Sequence, residues 1–235
     1  MLKRFLSLED FKLFLSSLTI VSLFFSAVVV GGQAYAATQT TTLTVTVNTA
    51  LTFAIDNNAG NTAFPAIDPG TPVMATTTLQ VTTNDVNGWT VALAGDDQGT
   101  SNTVMDLTTD ASVGLTDQTE WVPGTATTSV GNAVQIGSLD NSGDVLAFRV
   151  MSASGSVPFR STSWWGSQDN YLTDSANTLW AGIASSTVSR NIGNAGAGSY
   201  SSSVHLNTVQ YYLDVPASQQ SGSYTGALTY TATAN

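Results

Sequence analysis

Apolar and polar residues alternate strictly over one early stretch of the chain. Leu43, Val45, Val47, Leu51, Phe53 and Ile55 occupy odd positions, while Thr42, Thr44, Thr46, Asn48, Thr52 and Ala54 occupy even ones. Thr49 alone interrupts the apolar side. A period of two built from β-branched residues predicts a half-buried strand rather than a helix. Thirteen residues is long for one strand. A bend at Asn48-Thr49-Ala50 is therefore expected to divide the stretch into two consecutive strands. The burial available to such a segment does not offset the entropy of ordering its backbone, so it needs ladder partners.

The same pattern recurs between turn signals. Thr77, Leu79, Val81 and Thr83 alternate before "NDVNG", and Trp89, Val91 and Leu93 alternate after it. With Asn87-Gly88 at the tip, this predicts a β-hairpin. Leu146, Phe148 and Val150 follow the turn "LDNSGD". Val209, Tyr211, Leu213 and Val215 run up to Pro216, and "ASQQSG" then turns the chain into Tyr224, Leu228 and Tyr230. Helical periodicity is essentially missing after residue 36. The expected fold is all-β, a two-layer antiparallel sandwich of Ig-like or jelly-roll type. Residues 37–235 read as a single domain with long loops at about 96–145 and 152–200.

The first residues follow a different rule. Lys3, Arg4 and Lys12 precede an apolar run from Leu13 to Val30, and Ala34-Tyr35-Ala36 follows it. A positive start, an apolar centre and a small-x-small exit predict a helical export signal, residues 1–36, cleaved after Ala36. The run of 18 residues is also long enough to stay in a bilayer as an uncleaved signal anchor. Either outcome places the remainder outside the cytoplasm, secreted or on the cell surface.

Composition sharpens that picture. Both lysines lie ahead of residue 13, so the exported part has Arg149, Arg160 and Arg190 as its bases against fourteen acids, a net charge of −11. Nucleic acid and anionic membrane surfaces are excluded as partners, because both are recognised by clustered Lys and Arg. Membrane contact is expected only through the N-terminal segment if it stays attached. Without lysine in the exported part, Lys–Asn isopeptide bonds and lysine-based pilus polymerisation are excluded, and any assembly is non-covalent. The chain has no cysteine, which removes disulfides and thiolate metal sites and points to a bacterial or archaeal envelope.

Two stretches, "TTTLQVTTNDVNGWTVALAGDD" and "VQYYLDVPASQQSGSYTGALTYTATAN", resemble the β-sandwich of WxL-type bacterial cell-wall domains. Trp89 and Leu93 stand where that family carries an early Trp motif. Tyr224 and Tyr230 stand in the closing-strand motif, with Tyr230 in place of an expected Trp. The resemblance implies a secreted, non-enzymatic protein held non-covalently at the cell surface.

Candidate chemistry is sparse. His205, the single histidine, sits in a strand pattern, and no Gly-x-Ser-x-Gly elbow accompanies it. Glu120 is the only glutamate after the leader, where a glycosidase needs two facing carboxylates. The expectation is that the protein is not an enzyme. No cofactor is expected beyond a structural calcium, for which Asp96, Asp97, Asp140 and Asp144 are candidate ligands. These aspartates also suit ordinary turns. The strongest candidate binding feature is aromatic: Phe159, Arg160, Trp164, Trp165, Tyr171 and Trp180 fall in one irregular segment. Such residues either stack on a sugar or a partner protein, or cap the core.

Three functional expectations follow. The first is a structural or adhesive surface protein whose partners are a cell-wall polymer, a glycan or other surface proteins. The second is a subunit of a non-covalent fibre or pilus, in which residues 38–55 add as a strand to a neighbouring copy. The third is a carbohydrate-binding module using Trp164, Trp165 and Tyr171. Pairing of the Thr-rich segment within its own domain, with first and last strands side by side, is expected over the fibre.

Overall fold

The computed structural model describes residues 42, 44–55, 62–95, 103–124, 130–153, 165, 178–196 and 201–235. The chain divides into two compact units, Met1–Thr46 and Val47–Asn235. In the first unit Thr42 and residues 44–46 are described, and they are exposed and form no strand. The expected export segment lies outside the described residues.

Among the described residues, the second unit contains ten strands. They are β1 (Leu51–Ile55), β2 (Val73–Thr83), β3 (Trp89–Gly95), β4 (Thr103–Leu107), β5 (Asp110–Thr116), β6 (Leu146–Ala153), β7 (Arg190–Ala195), β8 (Ser201–Leu213), β9 (Tyr224–Thr225) and β10 (Leu228–Ala234). They form an antiparallel four-stranded sheet in the order β1-β2-β8-β6, and two three-stranded sheets in the orders β10-β3-β7 and β5-β4-β9. The fold is an all-β sandwich, as the period-two pattern requires. Leu79 and Val81 of β2, Phe148 and Val150 of β6, and Val209 and Tyr211 of β8 meet Trp89, Val91 and Leu93 of β3 and Ile192 of β7 in the main core. Apart from Ile192, each is a residue of the alternating apolar set, so burial follows the pleat.

β6 and the second half of β8 are buried on both faces. Their second face carries Ala147 and Tyr212, which join Leu139, Val145 and Trp180 in a smaller core. Trp180 reaches it because residues 178–182 run beside the four-stranded sheet. Backbone pairs join Trp180 to Val134 and Ala181 to Phe148. Arg149, also fully buried, holds its guanidinium carbon 5.5 Å from the centre of the Trp180 ring. This cation–π geometry compensates part of the cost of enclosing a charge.

Four expectations are corrected. The alternating stretch forms a strand only from Leu51, while Val45 and Val47 are 84% and 76% exposed. Leu51 pairs with Thr83, the last residue of β2, so the residues before it have no ladder to join. Asn84 instead fastens the entry to β1: Ala50 N donates to its Oδ1 at 2.6 Å, and its Nδ2 donates to Asn48 O at 3.0 Å.

Secondly, β2 and β3 are not a hairpin, because they lie in different sheets. A type I′ hairpin turn needs φ > 0 at both central residues, and here Gly88 has positive φ (+94°) while Asn87 does not. Asp85 Oδ1 accepts from Asn87 N at 2.8 Å, and the resulting turn carries the chain across the core from one layer to the other.

Thirdly, the stretches 96–145 and 152–200 are not simply loops, since they contain β4, β5 and β7. Register shifts in the β4–β5 and β3–β7 pairings break the alternation that would have marked them. Finally, first and last strands do not pair. β1 ladders with β2 and β10 with β3, on opposite layers.

Candidate functional site

The feature most able to receive a ligand lies where those two outer strands meet. β1 and β10 each bury one face only halfway, in strict alternation: Leu51, Phe53 and Ile55 on one, Leu228, Tyr230, Ala232 and Ala234 on the other. No described strand pairs with the outer edge of either. A cavity of about 290 Å³ opens here, lined by Ile55, Phe64, Met105, Tyr211, Leu228 and Tyr230 among others. That is roughly twice the volume of a cavity that holds benzene.

The polar side chains in the lining are the hydroxyls of Thr62, Thr77, Tyr211, Tyr224, Thr225 and Tyr230, and none is charged. Tyr211 Oη of β8 contacts Tyr230 Oη of β10, joining the two layers, and Thr62 Oγ1 contacts Thr77 Oγ1. Burial raises the Tyr211 hydroxyl above the ordinary tyrosine range, and its contact with Thr77 opposes that only in part. The hydroxyl stays neutral at any physiological pH. Phe64 stands edge-on to the Tyr211 ring at 6.4 Å. A lining without charge, part aliphatic and aromatic and part hydroxyl, suits an uncharged side chain rather than a charged metabolite.

The aromatic candidates fall elsewhere. Phe159, Arg160, Trp164 and Tyr171 lie outside the described residues. Trp165 is 1% exposed and Trp180 fully buried, so of the two alternatives these residues take the core-capping one. Trp165 stacks obliquely with Trp121 at 5.1 Å and with Phe148 at 5.5 Å, and Trp121 Nε1 donates to Val130 O at 2.6 Å. An indole is large enough to close the side of a sandwich, and these two do so rather than offering a face to solvent.

The acidic candidates are divided. Asp96 and Asp97 lie outside the described residues. Asp140 is occupied as an acceptor from Thr119, whose N and Oγ1 donate to its Oδ2 at 2.7 and 2.6 Å. Asp144 faces Asp214 and Tyr212. Burial chiefly, and then the negative charge of Asp144, raises the Asp214 carboxyl above its ordinary value, against backbone hydrogen bonds from Val215 and Gly70. The same surroundings push Tyr212 up to about 12, burial being the first cause. Among the described residues no three His, Asp or Glu side chains gather as a metal site would require.

His205 lies on β8 opposite Val81, half-buried, with its ring 5.7 Å from that of Trp89. Glu120 offers its backbone oxygen to Asn132 Nδ2 at 2.8 Å. Of the residues carrying the WxL resemblance, Trp89 and Leu93 are fully buried on β3. Tyr224 donates to Gln220 O at 2.6 Å, and Tyr230 makes the contact with Tyr211. Sequence reasoning overlooked the cavity itself. Its lining comes from seven strands and the segments between them, distant in sequence, and the one available signal was the uncharged alternation of residues 228–234. No family model matches the chain, and no curated protein is significantly similar to it.

Proposed function

We propose that the protein is exported, is not an enzyme, and serves a structural or adhesive role at the cell surface or envelope, attached without covalent bonds. The observation that carries this reading is the leader: Lys3, Arg4 and Lys12, then Leu13 to Val30, then Ala34-Tyr35-Ala36. The chain after it agrees in kind. It is acidic, free of lysine and cysteine, and rich in threonine on its pleated layers. Its stability rests on tryptophan-closed apolar packing, which survives outside the cell without redox protection. The neutral cavity between β1 and β10 adds a surface suited to another polypeptide rather than to a small charged substrate.

Extraction of the envelope tests the mode of attachment. Concentrated urea without wall hydrolase is expected to release the protein at the mass of residues 37–235. Retention until the wall polymer is digested, with sugar fragments still bound to the released chain, would contradict non-covalent attachment.

A further inference from the structure

We propose that the exported protein self-associates by strand addition, residues 42–48 of one copy pairing with the outer edge of β10 in another. Leu43, Val45 and Val47 then enter the cavity between β10 and β1. This rests on the surface reading above and names its partner, a second copy of this chain.

Three observations converge. Val45 and Val47 are the most exposed large apolar residues described, and they alternate with Thr44 and Thr46 in a backbone that forms no strand. β10 reads Leu-Thr-Tyr-Thr-Ala-Thr-Ala with the same period, its threonines exposed and its apolar side half-covered. The donor's apolar side chains supply what that half-covered face lacks, and the threonines of both strands fall on the solvent side. The cavity beside Leu228 and Tyr230 has room for roughly two or three aliphatic side chains, judged against the benzene-sized reference.

Charge points the same way. A protein with a net charge of −11 after its leader should repel its own copies, and natural sheets protect free edges with lysine, proline or inward charge. Yet residues 37–55 and 221–235 contain no charged residue and no proline. The acidic groups all fall outside the two segments that must approach. Donor and acceptor are different surfaces of the same chain. The contact is therefore heterologous, and it propagates into an open fibre unless its rotation happens to close a ring.

The absence of native cysteine makes a direct test simple. Two single-cysteine variants of the exported protein, Thr46→Cys in the donor and Thr231→Cys in β10, are mixed and oxidised. A disulfide-linked heterodimer is expected, because outward cross-strand neighbours lie within bridging distance. A matching Ser218→Cys partner is expected to stay unlinked. Sedimentation of the wild-type chain is expected to show concentration-dependent association. Val45→Asp/Val47→Asp weakens it about a hundredfold or more, and Thr44→Pro/Thr46→Pro abolishes it by removing ladder donors. Both double variants alter a segment outside the sandwich, so their melting temperatures should match wild type.

A chain that stays monomeric at high concentration overturns the proposal. So does association that ignores the donor variants, or a Thr46→Cys/Thr231→Cys chain that closes its disulfide within one molecule. Cell fractionation, read separately, decides the surface assignment: a protein that associates but resides in the cytosol sinks that assignment alone.

Discussion

Gly88 ends the turn between the layers with φ +94°, and a Cβ there would lie 1.8 Å from the backbone oxygen of Ala195. Neither side can yield cheaply, because Gly88 O accepts from Asn235 N and Ala195 pairs with Trp89. Gly88→Ala is expected to cost on the order of 3 kcal/mol, part left-handed strain and part overpacking, measurable by denaturant titration. Trp165 poses the opposite problem. Trp165→Ala removes the indole between Trp121 and Phe148, at a cost of about 3–5 kcal/mol. Its effect should appear as a lowered melting temperature, and glycan retention by the protein that remains folded should be unchanged. Tyr212 shares the alkaline limit with Tyr211, which burial also raises. The folded pKa of Tyr212 is raised from 10.0 to about 12, so the stability it contributes is complete below pH 10 and is lost as pH rises through 12. Tyr212→Phe should lessen the fall in melting temperature over that window, and the part due to Tyr211 should remain.

At the level of elements, Asn84 shows how a single amide decides where a strand begins. It holds Asn48 and Ala50 at the end of β2, and these bonds are exposed. Asn84→Ala should therefore cost only about 1 kcal/mol and should speed amide exchange in β1 before any other strand. The alternation made β2, β3, β6, β8 and β10 legible, since each buries one set of alternate apolar residues. It overshot at Thr44–Val47, because a repeat records which side is apolar but not how far the partner strand extends. It missed β4, β5 and β7, whose bulges shift the period. The NDVNG turn was legible as a turn. That it joins opposite layers was not, because the sequence around Asn87 does not reveal its φ. The cavity was least legible. Phe64, Met105, Tyr211 and Leu228 are ordinary apolar residues until the topology gathers them.

For the molecule as a whole, threonine-rich layers, neutral outer strands and a strongly acidic remainder are compatible with the proposal that the domain works outside the cytoplasm. The arginine at position 149 is enclosed, which leaves little positive charge to attract polyanions. Because residues 37–235 lack lysine, side-chain amine labels would miss them and a broad-specificity protease is the right probe. The most direct measurement is mass spectrometry of peptides shaved by such a protease from intact cells, with a cytosolic protein as the lysis control. Peptides from residues 37–235 should appear in the shaved fraction while the control stays inside. A protein that is protected until the cells are broken, and then recovered with the cytosol, would contradict the account.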